Sequence, residues 1–127
     1  MQRGTYDMAK AFWGYHLAAD CGACNEQVKS KEAIAEFLKA LVKAIDMKAY
    51  GEPFLERFAT DAPELGGISA CQMIETSNIC LHATDMTQDL YLDIFSCKPY
   101  SNEVALQVVK DFFNPQSIRI TYLTRQA

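Results

Sequence analysis

Positive charge, histidine and long apolar runs are all scarce in this chain, and each scarcity closes off a class of function. Twelve Lys and Arg face sixteen Asp and Glu, a formal charge of −4, with no basic stripe. That balance argues against a nucleic-acid binder, which needs a cationic surface for phosphates. No apolar run reaches the ~20 residues that a bilayer-spanning helix requires, so no membrane partner is expected. The opening MQRGTYDMAKAF lacks the apolar core and cleavage site of a signal peptide. Cytoplasmic residence is the expectation. With only two histidines, His16 and His82, and one C-x-x-C at Cys21–Cys24, a zinc site lacks its second pair of ligands. No metal is expected. A thioredoxin-like role would want the C-x-x-C to open a helix after a strand, yet Asn25 to Ser30 read as a loop. Cysteines 71 and 80 read as small buried hydrophobes.

What is present suits one domain over residues 1–127: half the residues are apolar, enough for one ordinary core. Phe12–Asp20 reads as an aromatic-rich strand. Lys31–Met47 reads as a helix, with Ile34, Phe37, Leu38, Leu41, Val42 and Ile45 on one face and Ser30 as N-cap. Gly51 and Pro53 break the chain. Pro53–Thr60 reads as an edge strand, and Asp61–Gly67 as a loop. Three strands follow at Ile68–Glu75, Asn78–Ala83 and Leu90–Ser96. The last alternates, with Leu90, Leu92 and Ile94 on one face and Tyr91, Asp93, Phe95 and Cys97 on the other. Asn102–Phe113 reads as a second helix, with a stripe of Val104, Ala105, Val108, Val109 and Phe112. Asn114-Pro115 stops it. Ile118, Ile120 and Tyr122 alternate as a closing strand. The order β-α-β-β-β-β-α-β predicts an α+β two-layer sandwich, an antiparallel sheet covered on one face by two helices. The other face then needs cover, and a homodimer is the economical way to supply it.

The chemistry concentrates between Gly67 and Cys97, where Ser69, Ser77, His82 and Cys97 lie in short apolar strands. Nucleophilic and titratable groups buried in strands cost stability unless each finds a partner. Taken singly, a strand serine, an apolar-context histidine and a buried cysteine are ordinary structural residues. Their joint spacing is informative. Gly67-Ile68-Ser69, Ser77-Asn78-Ile79-Cys80-Leu81-His82 and Asp93-Ile94-Phe95-Ser96-Cys97 align without a gap on G-[VI]-[ST], E-S-H-[IL]-x-[IL]-H-T-x-P-E and D-[VI]-[FY]-[ST]-C. Those motifs are the core of the bacterial S-adenosylmethionine decarboxylase proenzymes, which the chain resembles over nearly its whole length. Gly14-Tyr15-His16-Leu17-Ala18-Ala19-Asp20 also resembles that family's opening strand, and Cys24 falls where the family has a cysteine.

The resemblance implies self-cleavage between Thr76 and Ser77. The Ser77 hydroxyl attacks the preceding carbonyl, and β-elimination leaves a pyruvoyl group on the downstream piece. Such a step needs a strained bond, donors for the oxyanion and a nearby base. By position Ser69 and His82 are the processing pair, Ser77 the pyruvoyl precursor and Cys97 the proton donor after decarboxylation. The pyruvoyl group is an electron sink for a substrate amine. The implied activity belongs to polyamine (spermidine) synthesis, on a nucleoside or amino-acid-like small molecule.

The departures bear on substrate and processing. The family's glutamate before the serine is Thr76 here, its following histidine is Asn78, and the acid that holds the nucleoside's ribose is Met86. A thioether cannot accept two hydroxyl hydrogen bonds strongly, so an altered substrate is expected. Asp85, beside it, points the other way along a strand. His16 reads as structural, and Tyr91 and Asp93 either line the site or form a cross-strand network. A second reading is a non-cleaving homologue that keeps the fold and serves as a ligand-binding or regulatory homodimer.

Overall fold

In the computed structural model, residues 11–127 are described; most of the stretch read above for a signal peptide lies outside them. The order is β1 (Gly14–Gly22), α1 (Lys31–Ala44), β2 (Ala49–Phe58), β3 (Gly67–Ile74), β4 (Ser77–Thr84), β5 (Leu90–Ser96), α2 (Asn102–Phe113) and β6 (Ser117–Arg125). The strands form one antiparallel sheet in the order β2-β3-β4-β5-β1-β6. This is the expected α+β arrangement, with β2 at one edge and β6 at the other. Among the described residues no helix is long and apolar enough to cross a membrane.

The period-2 pattern of the strands meets the period-3.6 pattern of the helices in a single core. Leu17, Ala19, Ile68, Ile79, Leu81, Leu92 and Ile94 point to the helix side and pack against Ile34, Phe37, Leu38 and Leu41 of α1 and Val109 and Phe113 of α2. The Phe37 and Phe113 rings meet at 4.8 Å between centroids and join the two helices. In α2 the fully buried aromatic is Phe113 rather than Phe112, and Val104 is largely exposed. The stripe is therefore rotated by one position from the sequence reading.

Side chains set the element ends. Ser30 Oγ accepts from Ala33 N–H and Ser101 Oγ from Val104 N–H, so both helices begin on serine caps. α1 stops at Ala44, short of Met47, because Asp46 turns left-handed (φ 58°) and Lys98 Nζ donates to its carbonyl and carboxylate. α2 ends on Asn114, also left-handed. The Gly51–Pro53 stretch does not end β2 but is an irregularity within it, where the pairing with β3 shifts between Tyr50 and Phe54. Asn25–Ser30 holds a 3-10 turn at Glu26–Lys29 rather than plain loop. At Gly67 a Cβ would lie 1.8 Å from the Ala83 carbonyl oxygen, so only glycine lets β3 and β4 approach there.

Among the described residues, nothing covers the face away from the helices. It carries Phe54, Glu56 and Phe58 of β2, Ser69, Cys71 and Met73 of β3, and Asn78, Cys80 and His82 of β4. Tyr91, Asp93 and Phe95 of β5 and His16 of β1 complete it. Several of its apolar members, among them Phe54, Phe58, Met73 and Tyr91, are exposed.

Candidate active site

The four residues singled out by sequence fall into two pairs at opposite ends of β4. Ser77 is its first residue, and His82 stands five residues further on, about 16 Å away at the usual rise of a strand. Ser77 goes with Cys97, and His82 goes with Ser69.

The first pair is built on the hairpin between β3 and β4. Ile74 faces Ser77, and Glu75 and Thr76 make the two-residue turn. Glu75 N–H donates to Lys48 O, which ties the turn to the start of β2. Among the described residues six non-glycine residues have positive φ, and five of them lie at 42–58°, the ordinary left-handed region. Ser77 is the exception, at φ 152°, where L side chains rarely sit. Such a backbone costs of order 1–3 kcal/mol and persists only if its surroundings hold it. Those surroundings are visible. Cys97 N–H donates to the Thr76 carbonyl oxygen at 3.0 Å, and the Thr76 hydroxyl shares a 2.7 Å hydrogen bond with buried Ser96 and reaches Met47 Sδ. The peptide bond before Ser77 thus has a strained residue on one side and a polarised carbonyl on the other. The arrangement can stabilise negative charge on the Thr76 oxygen. This backbone donor is not legible in a motif, because Cys97 enters the motif for its thiol.

The second pair is a cross-strand contact. Ser69 and His82 face each other in register, with Ser69 Oγ 2.7 Å from His82 Nδ1. On the far side of the ring Nε2 lies 3.2 Å from the Leu65 carbonyl oxygen. A carbonyl only accepts, so Nε2 carries the proton. In the neutral ring Nδ1 is then the acceptor of the Ser69 hydroxyl. His82 is set as a base toward an oxygen nucleophile or proton carrier, with Leu65 O fixing its tautomer. Leu65 lies in the loop before β3, and nothing in its own side chain marks it. Tyr91 stands opposite His82 on β5 and borders this pair.

The other candidates take structural places. His16 Nε2 lies 2.9 Å from Asp93 and its Nδ1 faces Arg125, while the Arg125 guanidinium sits 5.0 Å over the Phe95 ring. Asp93 thus belongs to a cross-strand network. Asp85 is held through Oδ2 by Arg57, which also donates to Lys29 O, while its Oδ1 is buried with no hydrogen-bond partner among the described residues. Met86 is exposed and borders a concavity of about 350 Å³ with Ala59, Pro63 and Gly66, at the His82 end of the sheet. A second concavity, of about 480 Å³, is lined by Trp13, Phe95 and Arg125. Cys21 and Cys24 are buried, and burial pushes their thiols up to about 12 and about 11. Cys71 and Cys80 are half-buried on the open face rather than core fillers.

A profile described as S-adenosylmethionine decarboxylase matches residues 15–126. Proteins of Clostridium botulinum strains Hall and Langeland, each described as an S-adenosylmethionine decarboxylase proenzyme, are 34% identical over 85 residues, 66% of this chain and 68% of theirs. The crystal structure of an adenosylmethionine decarboxylase from Aquifex aeolicus VF5 superposes with a TM-score of 0.77 at 19% identity, over 91% of this chain and 92% of that one.

Proposed function

Because the chain belongs to the S-adenosylmethionine decarboxylase family, we propose that it is a self-cleaving, pyruvoyl-dependent decarboxylase whose whole length works as one domain. The observation that carries this is the Thr76–Ser77 bond. Its carbonyl is held by Cys97 N–H at 3.0 Å and it precedes a serine at φ 152°. Ser77 Oγ is covalently tethered next to that carbonyl, so attack is intramolecular and favoured by proximity. The developing oxyanion keeps the Cys97 N–H. Cleavage at Ser77 also releases the strained backbone, which favours the forward direction. The Thr76 side chain takes no chemical part, because its hydroxyl is turned to Ser96 and Met47.

These residues fit a pyruvoyl group at position 77, which supplies an electron sink for a substrate amine. Cys97, whose backbone N–H donates to Thr76 O, holds and delivers a proton beside it through its thiol. The substrate is a small amino-acid-like compound, S-adenosylmethionine or a relative. Trp13, Phe95 and Arg125 offer aromatic faces and a cation in the larger concavity, suited to a flat ring and a carboxylate.

One chain does not supply the base. The Ser69–His82 pair and Ser77 are about 16 Å apart along β4, beyond any direct proton transfer. A homodimer resolves this, with the open faces together on a two-fold axis lying across the strands. That axis lays the start of one β4 over the end of the other, so each copy's Ser69 and His82 serve the other's Ser77. The exposed apolar residues of the open face suit such a contact.

Intact mass is the test. Purified protein should separate into pieces 1–76 and 77–127, the second carrying a carbonyl that hydroxylamine traps, and Ser77→Ala should abolish both. A single full-length mass after long incubation at neutral pH would sink the proposal and favour a non-cleaving binding protein.

A further inference from the structure

Between the two half-sites, on the same open face, lies a pair of thiols that the proposed chemistry does not use. Cys71 of β3 and Cys80 of β4 face each other in register, and the Cys80 S–H donates to Cys71 Sγ at 3.1 Å. Their kind of pairing follows from the neighbouring bonds. Thr84 N–H donates to Asp89 O, and Cys97 N–H donates to Thr76 O, both across the β4–β5 ladder. Hydrogen-bonded pairs alternate along an antiparallel ladder. Counting by twos from Thr84–Asp89 and from Thr76–Cys97 makes Cys80–Asp93 a hydrogen-bonded pair. The backbone of Cys80 is therefore spent on β5, and Cys71–Cys80 is a non-hydrogen-bonded pair. The tight turn at Glu75–Thr76 gives the same parity from the other ladder. Such pairs have Cα atoms about 4.5 Å apart, at the short end of the range a disulfide spans. A bond formed there is close enough to make and tight enough to be easily reduced.

We propose that Cys71 and Cys80 are a redox-active pair that closes to a reversible cross-strand disulfide. The co-reactant is a low-molecular-weight disulfide, which reaches the pair while the two open faces of the proposed dimer are apart. Cys71 thiolate attacks one of its sulfurs and expels a thiolate, giving a mixed disulfide on Cys71. Cys80 then loses its proton and attacks Cys71 Sγ, expelling the second thiolate. Two protein thiols and one disulfide become one protein disulfide and two small thiols. The order is set by the geometry, since Cys80 is the hydrogen-bond donor and Cys71 the acceptor. Burial, the hydrogen bond to Cys71 and the charges of Cys71 and Asp93 push the Cys80 thiol up to about 12. A mixed disulfide on Cys71 removes the two causes that come from Cys71.

The pair straddles Thr76–Ser77. If the chain is cleaved there, which rests on the function proposed above, Cys71 lies on the upstream piece and Cys80 on the downstream one. The disulfide then becomes a covalent staple between the two pieces, replacing the hairpin turn that cleavage severs.

The experiment treats native purified protein with the small neutral 2-hydroxyethyl disulfide, blocks free thiols, and reads masses with and without dithiothreitol. A Cys71–Cys80 bond is expected, seen as loss of two hydrogens and of two blocking groups, and reversed by the reductant. In cleaved protein, 1–76 and 77–127 should run as one species without reductant and as two with it. Cys71→Ser and Cys80→Ser should each abolish the bond, and Cys24→Ser should leave it. Labelling of both thiols after treatment, a lasting adduct on Cys71, or a bond to Cys97 instead would overturn the proposal. Absence of cleavage shows separately, as one full-length mass after reduction, and Ser77→Ala should still form the bond.

Discussion

Replacing Ser77 by glycine and by alanine separates the strain at the proposed cleavage point from its chemistry. Both variants lack the hydroxyl, so neither can cleave, and both stay full length. They differ in backbone. Alanine must adopt φ 152° as serine does, at a cost of about 1–3 kcal/mol. Glycine adopts it without steric penalty, but its freer unfolded chain costs about 0.4–1 kcal/mol in return. The difference leaves Ser77→Gly more stable than Ser77→Ala by about 1 kcal/mol, the reverse of the usual order in a strand, where glycine is the worse residue. Urea unfolding at matched protein concentration reads it directly. With m of about 2 kcal/mol/M the glycine midpoint should lie about 0.5 M higher, with m unchanged. Matched concentration matters because dimerisation makes apparent stability concentration-dependent. A glycine variant equal to or less stable than the alanine variant would show that Ser77 is unstrained, and the argument that cleavage is driven by release of that backbone would fail.

Three further outcomes follow from the same geometry. Cys97→Ala should still cleave, because the donor to Thr76 O is the backbone N–H, while decarboxylation slows by ~10²–10⁴-fold; wild-type turnover would remove the thiol from the site. Protein made from co-expressed Ser77→Ala and His82→Ala chains should cleave partially, since one composite site per mixed dimer is whole. Neither variant should cleave alone, and a monomer in sedimentation or cleavage by Ser77→Ala-free mixtures of His82→Ala would refute the shared site. Met86→Glu should raise kcat/KM for S-adenosylmethionine, because a carboxylate accepts hydroxyl hydrogen bonds that a thioether cannot; efficient use of that substrate by the wild type would defeat the inference.

Local patterns decided much of this protein. The alternation in Leu90–Ser96 and the helical spacing in Lys31–Ala44 each reflect one face turned to a core, so element type, order and the two-layer arrangement could be read from residues alone. Serine caps at Ser30 and Ser101 and the Asn114 stop are equally local. So were the candidate residues, because motif spacing is a property of the chain. Register and strain are not. The helix end at Asp46 depends on Lys98, fifty-two residues away, and β2 runs through Gly51 and Pro53 because β3 holds it on one side. That Ser69 and His82 bond each other, far from Ser77, follows from how β3 and β4 pair, and spacing along a sequence carries no such distance. The same pairing sets Cys71 against Cys80. The φ of Ser77 and the Cys97 N–H on Thr76 O exist only once the hairpin is closed and β5 lies beside it, since strain of that kind is imposed by neighbours from distant parts of the chain and leaves no mark on the residue itself.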